Sequence, residues 1–180
     1  MSTQIQKSIA LFGGSFDPPH LAHLQVIHYL QQQKRFDEIW VLPAGQHPFK
    51  KDSAGFGDRL AMCRLVFDDE TNVVVREDDR DSTGYTLDLI EMLQTQNPDA
   101  AFSFVGGSDL EKEIARWKDP EALRARVEFL FLPRPPDPDS PFLPFSSTEI
   151  RRLVKNRLPI SSFVPKAVED YIAAHQLYLD

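Results

Sequence analysis

The chain has 180 residues and is 42% apolar, which is enough to bury one hydrophobic core and predicts a single domain over residues 1–180. Its formal net charge of −7 argues against a nucleic-acid-binding surface, which would require a basic face. No apolar run approaches the roughly 18 residues that a membrane span requires, so no membrane association is expected.

Strand-like and helix-like segments alternate along the chain. Apolar runs predict strands at residues 9–12, 38–43, 72–76, 101–105 and 127–132. Helical periodicity between them predicts helices at residues 21–33, 57–68, 86–96 and 108–126, the last broken near Pro120. This alternation predicts an α/β fold, a Rossmann-like doubly wound parallel sheet of about five strands with helices on both faces. The continuous apolar runs in the third and fifth strands favour burial on both faces of the sheet.

The region that joins the first predicted strand to the first helix is the most informative part of the chain. The strand ends in Gly13-Gly14, interpreted as a turn, and His20 and His23 follow at the start of the helix. Glycines allow backbone N–H groups to approach an anion closely, and helical side chains lean toward the helix N-terminus, where negative charge is favoured. The segment therefore predicts a polyphosphate site. A zinc site would need three or four suitably spaced ligands, and no further cluster of them is evident.

The remaining segments suggest an intracellular protein with a helical C-terminal part. Cys63, the single cysteine, cannot form an internal disulfide, and residues 1–7 show no signal peptide, so a cytoplasmic location is expected. Residues 133–144 form a loop with six prolines. A hydroxyl-rich cap then opens a basic helix in the C-terminal part, about residues 146–180, whose final helical segment, 164–179, is expected to pack across the sheet edge.

Two segments together resemble the signatures of the nucleotidyltransferase superfamily. Residues 13–20 with His23 resemble the pattern Gly-Gly-Thr/Ser-Phe-Asp-Pro-x-His-x-Gly-His, and residues 145–151 resemble Ile-Ser-Ser-Thr-x-Ile-Arg. Within that superfamily the chain is similar to the bacterial nicotinate-nucleotide adenylyltransferases. This similarity covers nearly the whole chain and includes the segments 47–50, 84–87, 105–109 with Trp117, 132–135, and the tail 163–178.

The resemblance implies transfer of AMP from ATP to nicotinate mononucleotide, which gives nicotinate adenine dinucleotide and pyrophosphate in NAD biosynthesis. The implied partners are ATP and a pyridine mononucleotide, without nucleic acid or membrane. Mg²⁺ would accompany ATP and be held mainly by phosphate and water, with no protein metal site. The oligomeric state stays open, a homo-oligomer included.

The resemblance also implies roles for individual residues. The catalytic residues would be His20, His23 and Arg151. The ATP-binding residues would be Gly13, Gly14, Ser15, Phe16, Gly106, Asp109, Ser146, Ser147 and Thr148. The acceptor-binding residues would be Lys50, Tyr85, Thr86, Trp117 and Arg134. Each has a simpler interpretation: the hydroxyl residues as a helix cap, Lys50 as a solvated loop residue, and the aromatic residues as core.

Three departures from the family pattern leave alternatives open. Ala22 stands where the family usually has Gly, and the loop 46–51 differs from the usual pattern. The segment 134–145 is shorter than usual, so a strand that is common in relatives is expected to be reduced or absent. The acceptor could then be nicotinamide mononucleotide or phosphopantetheine, or the chain could be a catalytically degenerate nucleotide-binding regulator. Every version requires the two signatures to face one cleft, with His20 and His23 near Arg151.

Overall fold

Five parallel strands form one sheet in the part of the chain that this computed structural model describes, residues 6–45 and 53–179. The strands are β1 (Lys7–Gly14), β2 (Glu38–Pro43), β3 (Val73–Val75), β4 (Ala100–Gly107) and β5 (Glu128–Leu132). Their order in the sheet is β3-β2-β1-β4-β5, and every neighbouring pair is parallel. The predicted α/β class and parallel sheet are confirmed.

Helices connect the strands and close the C-terminal region. They are α1 (Leu21–Gln32), α2 (Phe56–Phe67), α3 (Thr86–Gln96), α4 (Ser108–Glu113), α5 (Pro120–Arg126), α6 (Ser147–Lys155) and α7 (Lys166–Ala174). The predicted helix at 108–126 is divided into α4, a 3-10 turn (Ile114–Arg116) and α5. The break occurs where Asp119 adopts a φ of 44° and accepts a hydrogen bond from the Ala122 N–H, while Pro120 begins the next helix. Residues 133–146 contain no strand.

Side chains of the central strands alternate between two core clusters, one on each face of the sheet. Ala10 and Phe12 of β1 pack on one side with residues of α1, α2, α6 and α7. Ile9 and Leu11 pack on the other side with residues of α3 and α5. This alternation follows from the two-residue period of a strand. It places helices on both faces, as predicted.

The expectation that β3 and β5 are buried on both faces is wrong. Val74 in β3 is 38% exposed, and only Leu132 of β5 is fully buried. Both strands lie at the edges of the sheet, so each has a single neighbouring strand. The final segment also departs from the prediction, because α7 packs against α2 instead of crossing the sheet edge.

The chain changes direction across the sheet between β1 and β4. It builds outward from β1 through β2 to β3 and then returns to place β4 on the other side of β1. The loops after β1 and β4 therefore leave in opposite directions and open a crevice beyond the carboxyl ends of the strands, which is where α/β sheets bind ligands. No helix in the described ranges is both long and apolar enough to span a membrane.

Candidate active site

The two glycines of the first signature end strand β1 and do not form the predicted turn. Gly13 and Gly14 are paired in register with Leu42 and Pro43 of β2. A Cβ on Gly13 would lie 3.2 Å from Cζ of Phe104, so the small residue allows this ring to pack against the strand end. The chain turns two residues later, at Phe16, whose φ of 48° is in the left-handed region.

The two histidines of the signature lie face to face at the start of α1. His20 is the residue immediately before the helix, and its ring stacks on the ring of His23 with centroids 3.7 Å apart. The backbone N–H of His20 donates to Nδ1 of His23 over 3.1 Å. Because that nitrogen accepts, a neutral His23 carries its proton on Nε2, which is left as a donor. Nδ1 of His20 is buried and has no hydrogen-bond partner among the described residues.

Both imidazoles are held in the neutral form. Burial, and then the charge of Arg134, lowers the pKa of His20 from 6.5 to about 4. Burial holds the pKa of His23 well below its ordinary value, with smaller contributions from His20 and Arg134. The positive charge of Arg134 is one cause of these lowered pKa values, and a bound anion would offset it. The site therefore favours a negatively charged ligand.

The buried histidine predicts a dependence of stability on pH. The unfolded chain protonates His20 below pH 6.5, whereas the folded chain resists protonation down to about pH 4, so the free energy of unfolding falls as the pH decreases through this range. Between pH 7 and 5 we expect this single group to cost about 2 kcal/mol. Urea unfolding of the wild type and of His20→Gln measures it. An equal decline in both proteins would contradict the assignment.

The second signature is attached to the turn that follows the glycines. Ser147 at the start of α6 donates from Oγ to the carbonyl oxygen of Pro18 over 2.9 Å. Arg151, one turn further along the helix, donates from Nη1 to the carbonyl oxygen of Asp17 over 2.6 Å. Ser146 caps the helix by accepting from the Glu149 N–H, so the capping interpretation of its hydroxyl is correct. These contacts bring the two signatures together.

Residues of both signatures line one cavity of about 630 Å³. It is lined by residues from the ends of β1, β4 and β5, from α1, from the proline-rich loop and from α6. The predicted site residues that line it are Gly13, Gly14, Ser15, Phe16, His20, His23, Gly106, Arg134, Ser146, Ser147, Thr148 and Arg151. None of the described residues in this lining is acidic, although the chain as a whole carries a net charge of −7. Because the lining includes Arg134 and Arg151, the cavity is locally basic. Ala22 also lines it.

Arg134 and Asp109 meet at the end of β4. Nη1 of Arg134 lies 3.2 Å from Oδ2 of Asp109, and only Arg134 is part of the cavity wall. A Cβ on Gly107 would lie 2.1 Å from Cδ of Arg134 and 2.3 Å from Oδ1 of Asp109, so glycine is required for both side chains to cross the strand end. Arg134 was assigned to the acceptor, but the structure places it in the cavity with the histidines.

Three other residues assigned to the acceptor, Tyr85, Thr86 and Trp117, lie outside this cavity. Trp117 packs edge-on against Phe104 in the second core cluster, with ring centroids 6.0 Å apart. Tyr85 is 52% exposed just before Thr86, the first residue of α3, and Nζ of Lys118 lies 4.9 Å from the centre of its ring. The structure therefore brings the Tyr85 and Trp117 segments together on the opposite face of the sheet from α1. Lys50 lies outside the described residues.

Three polar residues beside the site, two of them buried, were assigned no role from the sequence. Asp17 is 1% exposed and Arg59 is 4% exposed. Arg59 donates to the carbonyl oxygens of Ser15 and Ala54 over 2.7 and 3.1 Å, and Tyr178 donates to Oδ1 of Asp17 over 2.7 Å. Two features of the sequence could have indicated a role for these residues: Asp17 lies inside the first signature, and Tyr178 lies in the family-like tail.

Comparison with known proteins agrees with this geometry. The cytidylyltransferase-like family matches residues 11–153, a range that contains both signatures. A protein of Anaeromyxobacter dehalogenans named nicotinate-nucleotide adenylyltransferase is 36% identical over 181 residues, which cover 96% of this chain and 97% of the relative. A protein of Salinibacter ruber with the same name is 35% identical over 192 residues, with coverage of 95% and 97%.

A solved structure has the same fold. The Plasmodium falciparum nicotinic acid mononucleotide adenylyltransferase complexed with NaAD superposes with a TM-score of 0.83 at 24% identity, over 96% of this chain and 97% of that one. Since both sequence relatives exceed 30% identity over nearly the whole chain, this protein belongs to the nicotinate-nucleotide adenylyltransferase family of cytidylyltransferase-like proteins.

Proposed function

We propose that the chain transfers the adenylyl group of ATP to the phosphate of nicotinate mononucleotide, a step of NAD biosynthesis. The observation that carries this proposal is the single basic cavity in which His20, His23 and Arg151 come together. A triphosphate needs several donors and cations converging from different directions, and this lining supplies them. The family relatives carry the name of this activity.

The proposed reaction needs no nucleophile from the protein. An oxygen of the acceptor phosphate attacks the α-phosphorus of ATP, the bond to the β-phosphate oxygen breaks, and pyrophosphate leaves with the electron pair. The acceptor phosphate is already ionised at neutral pH. Catalysis then consists of holding the two nucleotides in line and stabilising the negative charge that develops on the leaving group.

We assign parts of this task to individual residues. We assign His23, through its Nε2–H, and His20 to phosphate oxygens of ATP. The Glu149 N–H is taken by the Ser146 cap, and the N–H groups of Ser147 and Thr148, which precede it in the first turn of α6, can bind the same anion. Arg151 supplies a permanent positive charge with a planar arrangement of donors. Tyr85, Thr86 and Trp117 would contact the pyridine mononucleotide across the crevice, with Lys50 near its phosphate.

Mg²⁺ fits this site as a partner of the triphosphate and not as a resident metal. The described residues contain no group of three or more His, Cys, Asp or Glu side chains arranged to hold a metal ion. When bound with ATP, Mg²⁺ would be held mainly by phosphate oxygens and water and would neutralise part of the phosphate charge.

Two broader expectations stay predictions, a single domain over residues 1–180 and a cytoplasmic location, and the oligomeric state stays open, a homo-oligomer included. The first is supported by the core, because Ile150 of α6 and Val168 of α7 pack in the same cluster as Phe12 of β1.

A pyrophosphate-release assay with ATP and Mg²⁺ tests the proposed function. We expect turnover with nicotinate mononucleotide to exceed turnover with nicotinamide mononucleotide and with phosphopantetheine, each supplied separately. A higher kcat/KM with either of the other acceptors would overturn the assignment of the acceptor. ATP binding without turnover on any of the three would identify a nucleotide-binding regulator instead.

A further inference from the structure

The buried carboxylate of Asp17 connects three segments that are far apart in the sequence. Its Oδ1 accepts from the backbone N–H of Ala54 over 3.0 Å and from the hydroxyl of Tyr178 over 2.7 Å. Its Oδ2 lies 3.6 Å from Nη1 of Arg151. Ala54 precedes α2, Arg151 lies in α6 and Tyr178 follows α7. The orientation of this one carboxylate therefore depends on all three segments.

Arg151 is oriented mainly through the same residue. Its Nη1 donates to the backbone oxygen of Asp17 over 2.6 Å, while Nη2 is 3.4 Å from Oγ1 of Thr148 on its own helix. The arginine lines the cavity, so the position of Asp17 sets the direction in which its guanidinium faces a bound phosphate. The carboxylate itself acts on the guanidinium through charge, because Oδ2 has no hydrogen-bond partner among the described residues and lies 3.6 Å from Nη1.

Tyr178 provides a hydroxyl donor that stays protonated. Burial, then the negative charge of Asp17 and their hydrogen bond, raises the pKa of Tyr178 far above its ordinary value. The residue adopts a φ of 64°, a left-handed conformation that is uncommon for a large side chain. Its ring packs beside the core cluster that contains Phe16, so the hydroxyl is presented to Asp17 by a packed side chain.

We propose that Tyr178 is a positioning residue of the adenylyl transfer, which holds the Asp17 carboxylate so that Arg151 faces the leaving pyrophosphate. This inference rests on the proposed function. It assigns a role in catalysis to a residue that does not line the cavity.

The chain offers a matched control in the same region. Tyr171 of α7 also donates its hydroxyl to a carboxylate, over 3.0 Å to Oδ1 of Asp58 in α2. Neither residue lines the cavity. Tyr171→Phe and Tyr178→Phe each remove one hydroxyl group and one hydrogen bond to an acid, so both are expected to cost stability, but only Tyr178→Phe is expected to affect Arg151.

The test compares these variants in the pyrophosphate-release assay. We expect Tyr178→Phe to lower kcat about 3- to 10-fold with the KM for ATP within about twofold, since the loss affects stabilisation of the transition state. Tyr171→Phe should keep the wild-type kcat. In an Arg151→Ala background, adding Tyr178→Phe should change kcat less than about 1.5-fold, because the residue through which the tyrosine acts is already absent.

The outcomes separate failure of this inference from failure of the proposed function. A wild-type protein inactive with all three acceptors would contradict the function. An active wild type with an equally active Tyr178→Phe variant, or an equal loss with and without Arg151, would overturn the positioning role. A crystal structure of Tyr178→Phe provides a readout independent of activity: we expect the Arg151 guanidinium to leave the Asp17 carbonyl, and an unmoved guanidinium would also overturn the role.

Discussion

His23→Ala is expected to lower kcat about 10²- to 10³-fold, the usual cost of removing one preorganised donor to a transition state. His23 accepts from the backbone of His20 through Nδ1, which leaves its Nε2–H for a phosphate oxygen in the cavity. The charge that builds on the leaving pyrophosphate would lose that donor. Steady-state kinetics with nicotinate mononucleotide and ATP measure the effect, and circular dichroism checks that the variant is folded.

His28→Ala is the matched control for this prediction. His28 lies on the same helix, its side chain is about half exposed, and its Nε2 is 3.1 Å from Oε1 of Glu70. It does not line the cavity, so we expect its removal to leave kcat unchanged. A His23→Ala enzyme with full turnover would exclude His23 from the mechanism.

Arg151→Ala is expected to reduce kcat/KM for ATP about 100-fold, because a partly buried, charge-assisted contact to phosphate is lost. The variant should also be less stable, since Asp17 would keep its buried carboxylate without the nearby arginine. Arg151→Lys separates the two effects. It retains the positive charge but not the planar pair of donors, so we expect it to recover most of the stability and only part of the activity.

Arg152→Ala provides the comparison at the adjacent position. Arg152 is exposed and pairs with Glu149 over 2.6 Å, one turn earlier on the same helix. Surface pairs of this kind contribute little to stability, so kinetics and stability should both stay close to those of the wild type. Equal kinetics for the Arg151→Ala and Arg152→Ala proteins would mean that Arg151 is only a surface charge.

The features predictable from the sequence are those that depend on local patterns. Strand and helix periods identified the five strands and the alternating fold. The convergence of His20, His23 and Arg151 was expected from the resemblance of their two segments to the two signatures of one family, while the topology of parallel strands indicated the edge of the sheet where a ligand binds. The observed cavity contains all three residues.

The remaining features depend on contacts between distant segments. An apolar run such as 73–75 does not reveal whether its strand has one neighbour or two, which is why β3 was expected to be buried. Arg59 has the appearance of an ordinary helix-surface residue, yet it donates to the carbonyl oxygen of Ser15, which is 44 positions away in the sequence. Tyr178 depends in the same way on Asp17, to which it is joined only in the folded protein.

The hydrogen bond between Tyr178 and Asp17 spans 161 positions of the chain. During synthesis on the ribosome, the segment with Asp17 and the histidines emerges early. Its partner Tyr178 becomes available only when nearly the entire polypeptide has been made. Contacts of such long sequence separation form late and slow the folding of a domain. Chains that end before Tyr178 would therefore contain the cavity residues but lack the hydrogen bond from Tyr178 to Asp17.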